Sequence, residues 1–377
     1  MHERKNNKNP AKSYSAESKK GIITPLDRDD IEDIAHLSQK YFPRSKEVSI
    51  QYLKKTLCDL YFNGTDSQPN VTSLVSRSKE NSINGFLGVT TQTFFYKKKE
   101  ITVANCHHLM ATDEARSQLI PIKMLQKFIS GPQELSFSDG SAKAMHLFWK
   151  RFGGGESSVI ESIYYKIPLR PVSFAMRPLL GKMNRPLSTL VSASAAGIDK
   201  VAGALRIPMF YRNKPGVQLK KLTSILLLEG LQNIQSKYSI FPSYDQSKIE
   251  HLFKLLNNEK RYGTFYKIAV LEHEKIVGWF IYYAKKGGVC EVLQAISLPG
   301  KEEILFDMIT WHAFSCGGVE LSGRLMAHHL QTSFTSKAIC IPARMWTLIH
   351  SSNKELKHDI QTGNAFLTRF EGDLWLL

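Results

Sequence analysis

Asn84-Gly85-Phe86-Leu87-Gly88-Val89, followed by Ile101 to Met110, by Asp113-Glu114-Ala115-Arg116-Ser117-Gln118-Leu119-Ile120-Pro121 and by Leu135-Ser136-Phe137-Ser138-Asp139-Gly140, is the stretch whose reading decides the fold. Gly85 to Phe95 and Ile101 to Met110 read as strands on either side of a lysine turn at Lys97 to Glu100, and with Val71 to Ser76 they make a three-stranded antiparallel meander. The period then lengthens. Ala115 to Ile129 places Leu119, Ile122, Leu125 and Ile129 on one helical face and stops at Gly131-Pro132. Leu135 to Ser138 reads as a short strand, Ala142 to Phe152 as a helix ended by Gly153-Gly154-Gly155, and Val159 to Ile167 as the last strand of this half.

Upstream, Thr24-Pro25-Leu26-Asp27 opens an amphipathic helix carrying Ile31, Ile34, Ala35 and Leu37, and a second helix spans Ile50 to Tyr61. Downstream, residues 173–220 are basic, contain prolines and small residues, and read as a linker with one amphipathic helix near Thr189 to Leu205. The order of elements then recurs. A helix capped at Ser243 or Asp245 precedes strands at Phe265 to Leu271, Ile276 to Ala284 and Val289 to Ser297, a helix at Glu302 to Phe314 and a strand at Gly318 to Leu321. The expectation is an α+β (mixed α/β) protein of two similar domains, each a mostly antiparallel mixed sheet flanked by helices. They occupy residues 24–172 and 221–377, behind a disordered basic tail at 1–23.

Composition fits that picture. The 377 residues exceed the roughly 250–300 at which a single core stops growing. Hydrophobic residues make up 42% and charged residues 22%, a balance that excludes an intrinsically disordered chain. The apolar stretch from Leu187 to Leu205 is broken by Asp199 and Lys200, so no spanning helix is expected, and the N-terminus lacks the apolar segment of a secretory signal. Cys58, Cys106, Cys290, Cys316 and Cys340 are scattered without CxxC spacing and read as reduced thiols of a cytoplasmic protein. His328-His329 lacks the spacing and companions of a metal site, so no metal is expected. The net charge of +16 points to an anionic partner: a CoA pyrophosphate, a nucleic acid or a membrane surface.

The Asn81 to Gly154 segment resembles the GCN5-related N-acetyltransferase family, with residues 84–89 similar to its second and third strands and Ala144-Met145-His146-Leu147-Phe148-Trp149-Lys150-Arg151-Phe152-Gly153 similar to the helix that ends in a "lYeklGF" pattern. Residues 222–377 resemble the same family in outline, with Val277-Gly278-Trp279 in the third-strand position but Ser297-Leu298-Pro299-Gly300 where a phosphate loop belongs, which implies a degenerate second domain. The resemblance implies an acyl-CoA co-substrate, acetyl-CoA or another, held by the backbone at a helix N-terminus. Cofactor contacts are then expected from Met110, Arg116, Gln118, Leu119, Ile120 and Asp139, although Leu119 and Pro121 stand where that loop has glycine and a side chain at Leu119 restricts the approach of phosphate.

For catalysis the resemblance selects His107 and His108 on the fourth strand, where a base with a pKa near neutrality would suit a reacting amine, and Glu291 on the equivalent strand of the second half. Strand alternation sends His107 and His108 to opposite faces, so at most one lines the cleft. The expected activity is acyl transfer, chiefly acetyl transfer, to a small-molecule amine such as an amino sugar or amino acid by direct attack in a ternary complex. Tandem arrangements of this kind also resemble Fem-type peptidyltransferases, and the alternative is a non-catalytic or aminoacyl-tRNA-linked binding protein on a degenerate scaffold.

Overall fold

The computed structural model describes residues 23–372, apart from 65–67, 154–155, 159–161, 208, 327–337 and 343–344. The basic tail at 1–22, Gly154-Gly155 and His328-His329 lie outside the described residues. In chain order the first half comprises β1 (Ile23–Pro25), α1 (Ile31–Tyr41), α2 (Ile50–Tyr61), β2 (Leu74–Arg77), β3 (Ile83–Tyr96), β4 (Lys99–Ala111), α3 (Asp113–Ser117), α4 (Ile120–Ile129), β5 (Leu135–Ala142), α5 (Lys143–Gly153) and β6 (Glu156–Ser158). Then come β7 (Ile163–Pro168), α6 (Pro171–Leu180), α7 (Arg185–Ala204), β8 (Gln218–Lys221), α8 (Ser224–Ile234), β9 (Ile240–Pro242) and α9 (Gln246–Asn258). The chain closes with β10 (Thr264–Glu272), β11 (Lys275–Ala284), β12 (Val289–Ser297), α10 (Glu302–Ser315), β13 (Glu320–Arg324), β14 (Ile339–Pro342), β15 (Met345–His350) and α11 (Lys354–Gln361).

These strands form two mixed sheets flanked by helices, ordered β1-β2-β3-β4-β5-β15-β6 with β9 added to the far end of β3, and β14-β7-β13-β12-β11-β10-β8. The two meanders are built alike. Lys97-Lys98 turns the β3-β4 hairpin and His273-Glu274 the β10-β11 hairpin, each pair left-handed at both residues, the geometry that matches the right-handed twist of paired strands. Alternation sorts the first meander between two layers. Phe86 and Met110 pack with Ile34, Leu53 and Leu57 of α1 and α2, whereas Leu87, Val89 and Cys106 pack with Met124 and Leu125 of α4.

Three features depart from the sequence reading. The helix expected over Ala115 to Ile129 is two helices, because Leu119 adopts φ 58° between them. The stretch expected as a linker holds the paired helices α6 and α7. Third, the strand expected to close the first half, β7, instead pairs with β13 and β14 in the second sheet, burying Tyr165 and Ile167 there, while β15 returns to cover β5 from Ser136 to Ala142 in the first. The first sheet thus takes β9 and β15 from the second half and the second takes β7 from the first, so a cut between residues 172 and 221 does not separate them.

One buried ion pair fastens the exchange. Arg324, ending β13, donates from Nη1 to Asp139 Oδ1 of β5 at 2.7 Å and from Nη2 to the Leu367 carbonyl at 2.7 Å, and the Thr347 hydroxyl of β15 donates to the same carboxylate oxygen at 3.2 Å. Both charged side chains are almost wholly enclosed. Removing one partner of such a pair strands the other charge in a dry site. Arg324→Ala is therefore expected to lower the unfolding free energy by about 3–5 kcal/mol in urea titrations, and the double variant Arg324→Met/Asp139→Leu to recover part of that loss.

Candidate active site

The site begins where β4 leaves β5. Their parallel ladder lasts for Val103, Ala104 and Asn105 opposite Leu135, Ser136 and Phe137, after which the strands part. At this fork β4 carries a bulge: Phe86 pairs with Met110 and Gly88 with His107, so His108 and Leu109 together oppose Leu87. His108 takes φ 54°, an uncommon conformation for a residue with a Cβ.

The bulge overturns the expectation that His107 and His108 face opposite ways. Both rings line one cavity of about 220 Å³, enclosed by the end of α2, the segment Val71–Ser73, β3, β4 and α9. Alternation holds only while the ladder keeps its register, and the extra residue returns His108 to the side of His107. The rings are in contact, with Nδ1 to Nδ1 at 3.1 Å, and Tyr61 Oη lies 2.6 Å from His108 Nδ1. Thr90 Oγ1 lies 3.3 Å from His107 Nε2, completing a chain from Tyr61 to Thr90. Gly88 makes room for it, because a Cβ there would collide with the Tyr61 hydroxyl.

Burial of the rings decides their charge. It pushes the pKa of His107 down to about 3 and that of His108 well below the usual imidazole value, with His107 and Arg261 adding repulsion at His108. The geometry has the same consequence, since two Nδ1 atoms in hydrogen-bonding contact share a single proton and a second would set N–H against N–H. The pair is neutral at physiological pH, and not the near-neutral base that the sequence suggested. The rest of the wall is mainly apolar, from Leu60, Val71, Val89, Leu252 and Leu255, and no Asp or Glu lines it among the described residues. Asn105 stands opposite Thr90 in the ladder, is buried, and neither atom of its amide has a partner among the described residues.

The expected cofactor residues fall in three places. Leu119 supplies the left-handed turn at the head of α4 with its own side chain turned outward, 56% exposed, so the backbone takes a glycine-like path without glycine. The Ile122 and Lys123 amides both donate to the Leu119 carbonyl, and Pro121 has no N–H to offer. Exposed Arg116 sits next to Asp113 at 3.3 Å and over the Tyr41 ring, Gln118 reaches Glu114 at 3.2 Å, and Ile120 is buried against the sheet. Met110 is enclosed beneath α1 and α2. Asp139 does not end a strand, as expected, because β5 continues to Ala142 and its carboxylate is engaged by Arg324.

Glu291 lies away from the histidines, at the corresponding fork of the second sheet, where β12 parts from β13 after Val289, Cys290 and Glu291. Burial raises its pKa, and Arg369 Nη1 is 3.9 Å away. A bulge recurs here at Leu293, between the Ile281-Gln294 and Tyr282-Val292 pairs. This second fork is closed. Tyr165, Arg324, Thr368 and Arg369 fill it, leaving about 10 Å³, scarcely the space of one water.

Sequence reasoning missed Tyr61, Thr90 and Asn105. Only Asn105 left a local trace, as an amide inside the apolar run Ile101 to Cys106; the other two come from elements whose approach is set by tertiary packing.

No family model matches the sequence, and no curated protein matches it. Solved structures do. The fold is that of the GCN5-related N-acetyltransferases, present in tandem. A GCN5-related N-acetyltransferase from Anabaena variabilis superposes with a TM-score of 0.55 at 11% identity, over 89% of this chain and 73% of that one. Saccharomyces cerevisiae N-myristoyltransferase with bound myristoyl-CoA gives 0.54 at 13% identity, over 95% and 87%. A probable N-acyltransferase from Enterococcus faecalis gives 0.54 at 12% identity, over 88% and 72%.

The neutral histidine pair has a measurable signature. An unfolded chain protonates its histidines near pH 6.5, whereas His107 in the folded protein stays neutral down to about 3. The unfolded state therefore binds more protons in that window, and the stability that a neutral His107 confers above pH 6.5 is lost as pH falls toward 3. In denaturant titrations between pH 6.5 and 5, His107→Gln is expected to shallow the dependence of stability on pH by about one proton.

Proposed function

We propose that the protein is an acyl-CoA-dependent N-acyltransferase whose working site is the fork of the first half, and whose donor carries a chain longer than acetyl that lies in the adjoining apolar cavity. The observation that carries this reading is the contrast between the halves: beside the bulge of β4 lies a mainly apolar cavity of about 220 Å³ between β3, β4, α2 and α9, and beside the bulge of β12 only about 10 Å³ remains. The fold's known neighbours supply the chemistry, one of them having been solved with myristoyl-CoA.

In this reading an amine nitrogen attacks the thioester carbonyl carbon, the C–N bond forms as the C–S bond breaks, the nitrogen gives up a proton and the sulfur departs as a thiolate that takes one. The bulge leaves backbone at His108 and Leu109 outside the ladder, a source of an N–H for the developing oxyanion. The contacts of Tyr61, His108, His107 and Thr90 hold the two rings in place, and neither ring serves as the base, because neither holds a second proton near neutrality. Arg116 and the head of α4 are the groups that would hold the pyrophosphate of a bound acyl-CoA. With Ile122 and Lys123 engaged and Pro121 lacking an N–H, the Arg116 charge carries a larger share than in a glycine-rich loop.

Calorimetry with acetyl-, octanoyl- and myristoyl-CoA tests the reading. Affinity should rise with chain length, fall about tenfold on Arg116→Ala, and lose its chain-length dependence on Leu255→Trp, which fills the cavity. Equal affinity for all three donors would remove the long-chain assignment, and no binding of any would remove the function.

The rate should also lack a histidine inflection. Since the amine must arrive unprotonated, turnover is expected to climb with pH toward the acceptor's own pKa, without the break near 6.5 that a titrating histidine base produces. Such a break, abolished by His107→Gln, would restore the general-base mechanism.

A further inference from the structure

The segment from Pro171 to Tyr211 concentrates apolar exposure. Of the 13 large hydrophobic side chains exposed among the described residues, nine lie between Leu179 and Tyr211, so the excess belongs to this hairpin and not to the surface in general. Helix α7 carries it as a stripe: Leu187, Leu190, Ile198, Val201 and Leu205 recur at helical spacing and are each between 46% and 69% exposed. Its buried stripe is separate, made of Ala195, Asp199 and Ala202.

Charge decides what this face fits. From Arg170 to Lys221 the sequence has ten Lys or Arg and a single acid, Asp199. That acid is turned inward, accepting from the Val172 and Ser173 amides at 3.0 and 2.9 Å at the start of α6. Arg170 bonds the Phe314 and Gly318 carbonyls and Arg177 pairs with Glu320, so these two fasten the hairpin to the second half. Lys182 before α7, Arg185 and Lys200 within it, and Arg206 and Lys214 beyond it are exposed. The segment itself therefore presents apolar side chains among cations with no exposed carboxylate of its own, an exposed acid on a neighbouring element being Asp307 of α10 beside Arg212. A second copy of this chain would set the same positive charge against itself. No helix among the described residues is long and apolar enough to cross a membrane.

We infer that the α6-α7 hairpin docks the protein on an anionic lipid bilayer, with the apolar stripe of α7 entering the headgroup boundary and the flanking Lys and Arg pairing with lipid phosphates. This is independent of the proposed transferase activity. Co-sedimentation of the full chain with phosphatidylcholine vesicles, with and without phosphatidylglycerol, tests it, with light scattering in parallel for oligomeric state. Binding should require the anionic lipid, weaken as salt is raised, and fall about fivefold for each of Lys182→Ala, Arg185→Ala and Lys200→Ala. Leu190→Glu/Val201→Glu should abolish it while leaving the circular dichroism spectrum unchanged, because both positions are already in water. No sedimentation, equal partition into neutral vesicles, or self-association that the double Glu variant abolishes without any vesicle binding would each overturn the assignment.

Discussion

The Arg324-Asp139 pair is the constraint on which the arrangement rests. It sits where β13 of one sheet meets β5 of the other, and the same guanidinium holds the Leu367 carbonyl of the closing segment. Beyond that carbonyl the chain bonds onward: the Thr368 backbone amide donates to Glu371 at 2.8 Å, Tyr244 and Gln294 donate to the same carboxylate, and Gln92 of the cavity wall donates to the Glu371 carbonyl. Two charges enclosed together lose hydration that their attraction only partly returns, so such a pair contributes less net stability than it does uniqueness of arrangement. Here the alternative it disfavours is specific: β7 and β15 each staying with the sheet of its own half, with the end of the chain elsewhere.

That arrangement also makes the two forks unequal. Both halves have a meander, a bulge on the third strand of that meander, and a short parallel ladder that gives way to a gap. Arg324 and the chain around Thr368 and Arg369 occupy the second gap, so the contact that ties the halves together also closes one site. Beside the bulge of β4 a cavity remains between β3, β4, α2 and α9, walled by side chains such as Leu60, Leu252 and Leu255.

Local physics made much of this legible. Period-two and period-3.6 patterns located the meanders of both halves and the helices next to them in sequence because each has a face against a core, while the helices at Pro171–Leu180, Ser224–Ile234 and Lys354–Gln361 went unread, and Asp245 and the lysine turn do the same work in the structure as in the sequence. What stayed hidden is relational. Asp139 and Arg324 are far apart in the chain, and nothing in either neighbourhood names the other. β7 looks alike whichever sheet receives it. His107 and His108 were found as residues but assigned to opposite faces, since a bulge has no signature in composition: the side that a strand residue faces depends on how many residues its partner spends opposite it. Leu119 misled in the other direction, where the absence of glycine suggested a blocked loop and the backbone instead bears the left-handed conformation with leucine, at roughly 1 kcal/mol or more of strain.

The bulge, the left-handed His108 and the neutral ring pair are best understood as one device. A buried imidazolium needs a countercharge, and this mainly apolar cavity has Lys248 but no carboxylate in its wall among the described residues. Neutral imidazoles avoid that cost, and Nδ1 atoms that meet with room for one proton between them reinforce neutrality, although adjacent strand residues ordinarily point apart. Inserting one extra residue brings them together, but forces a residue with a Cβ into an uncommon conformation. A conformation of that kind persists where its surroundings over-determine it, and here Tyr61 does so, its hydroxyl seated over Gly88 and bonded to His108. Tyr61 in turn lies in the last turn of α2, so the charge state of the cavity depends on how a helix packs on the sheet as much as on the residues that titrate.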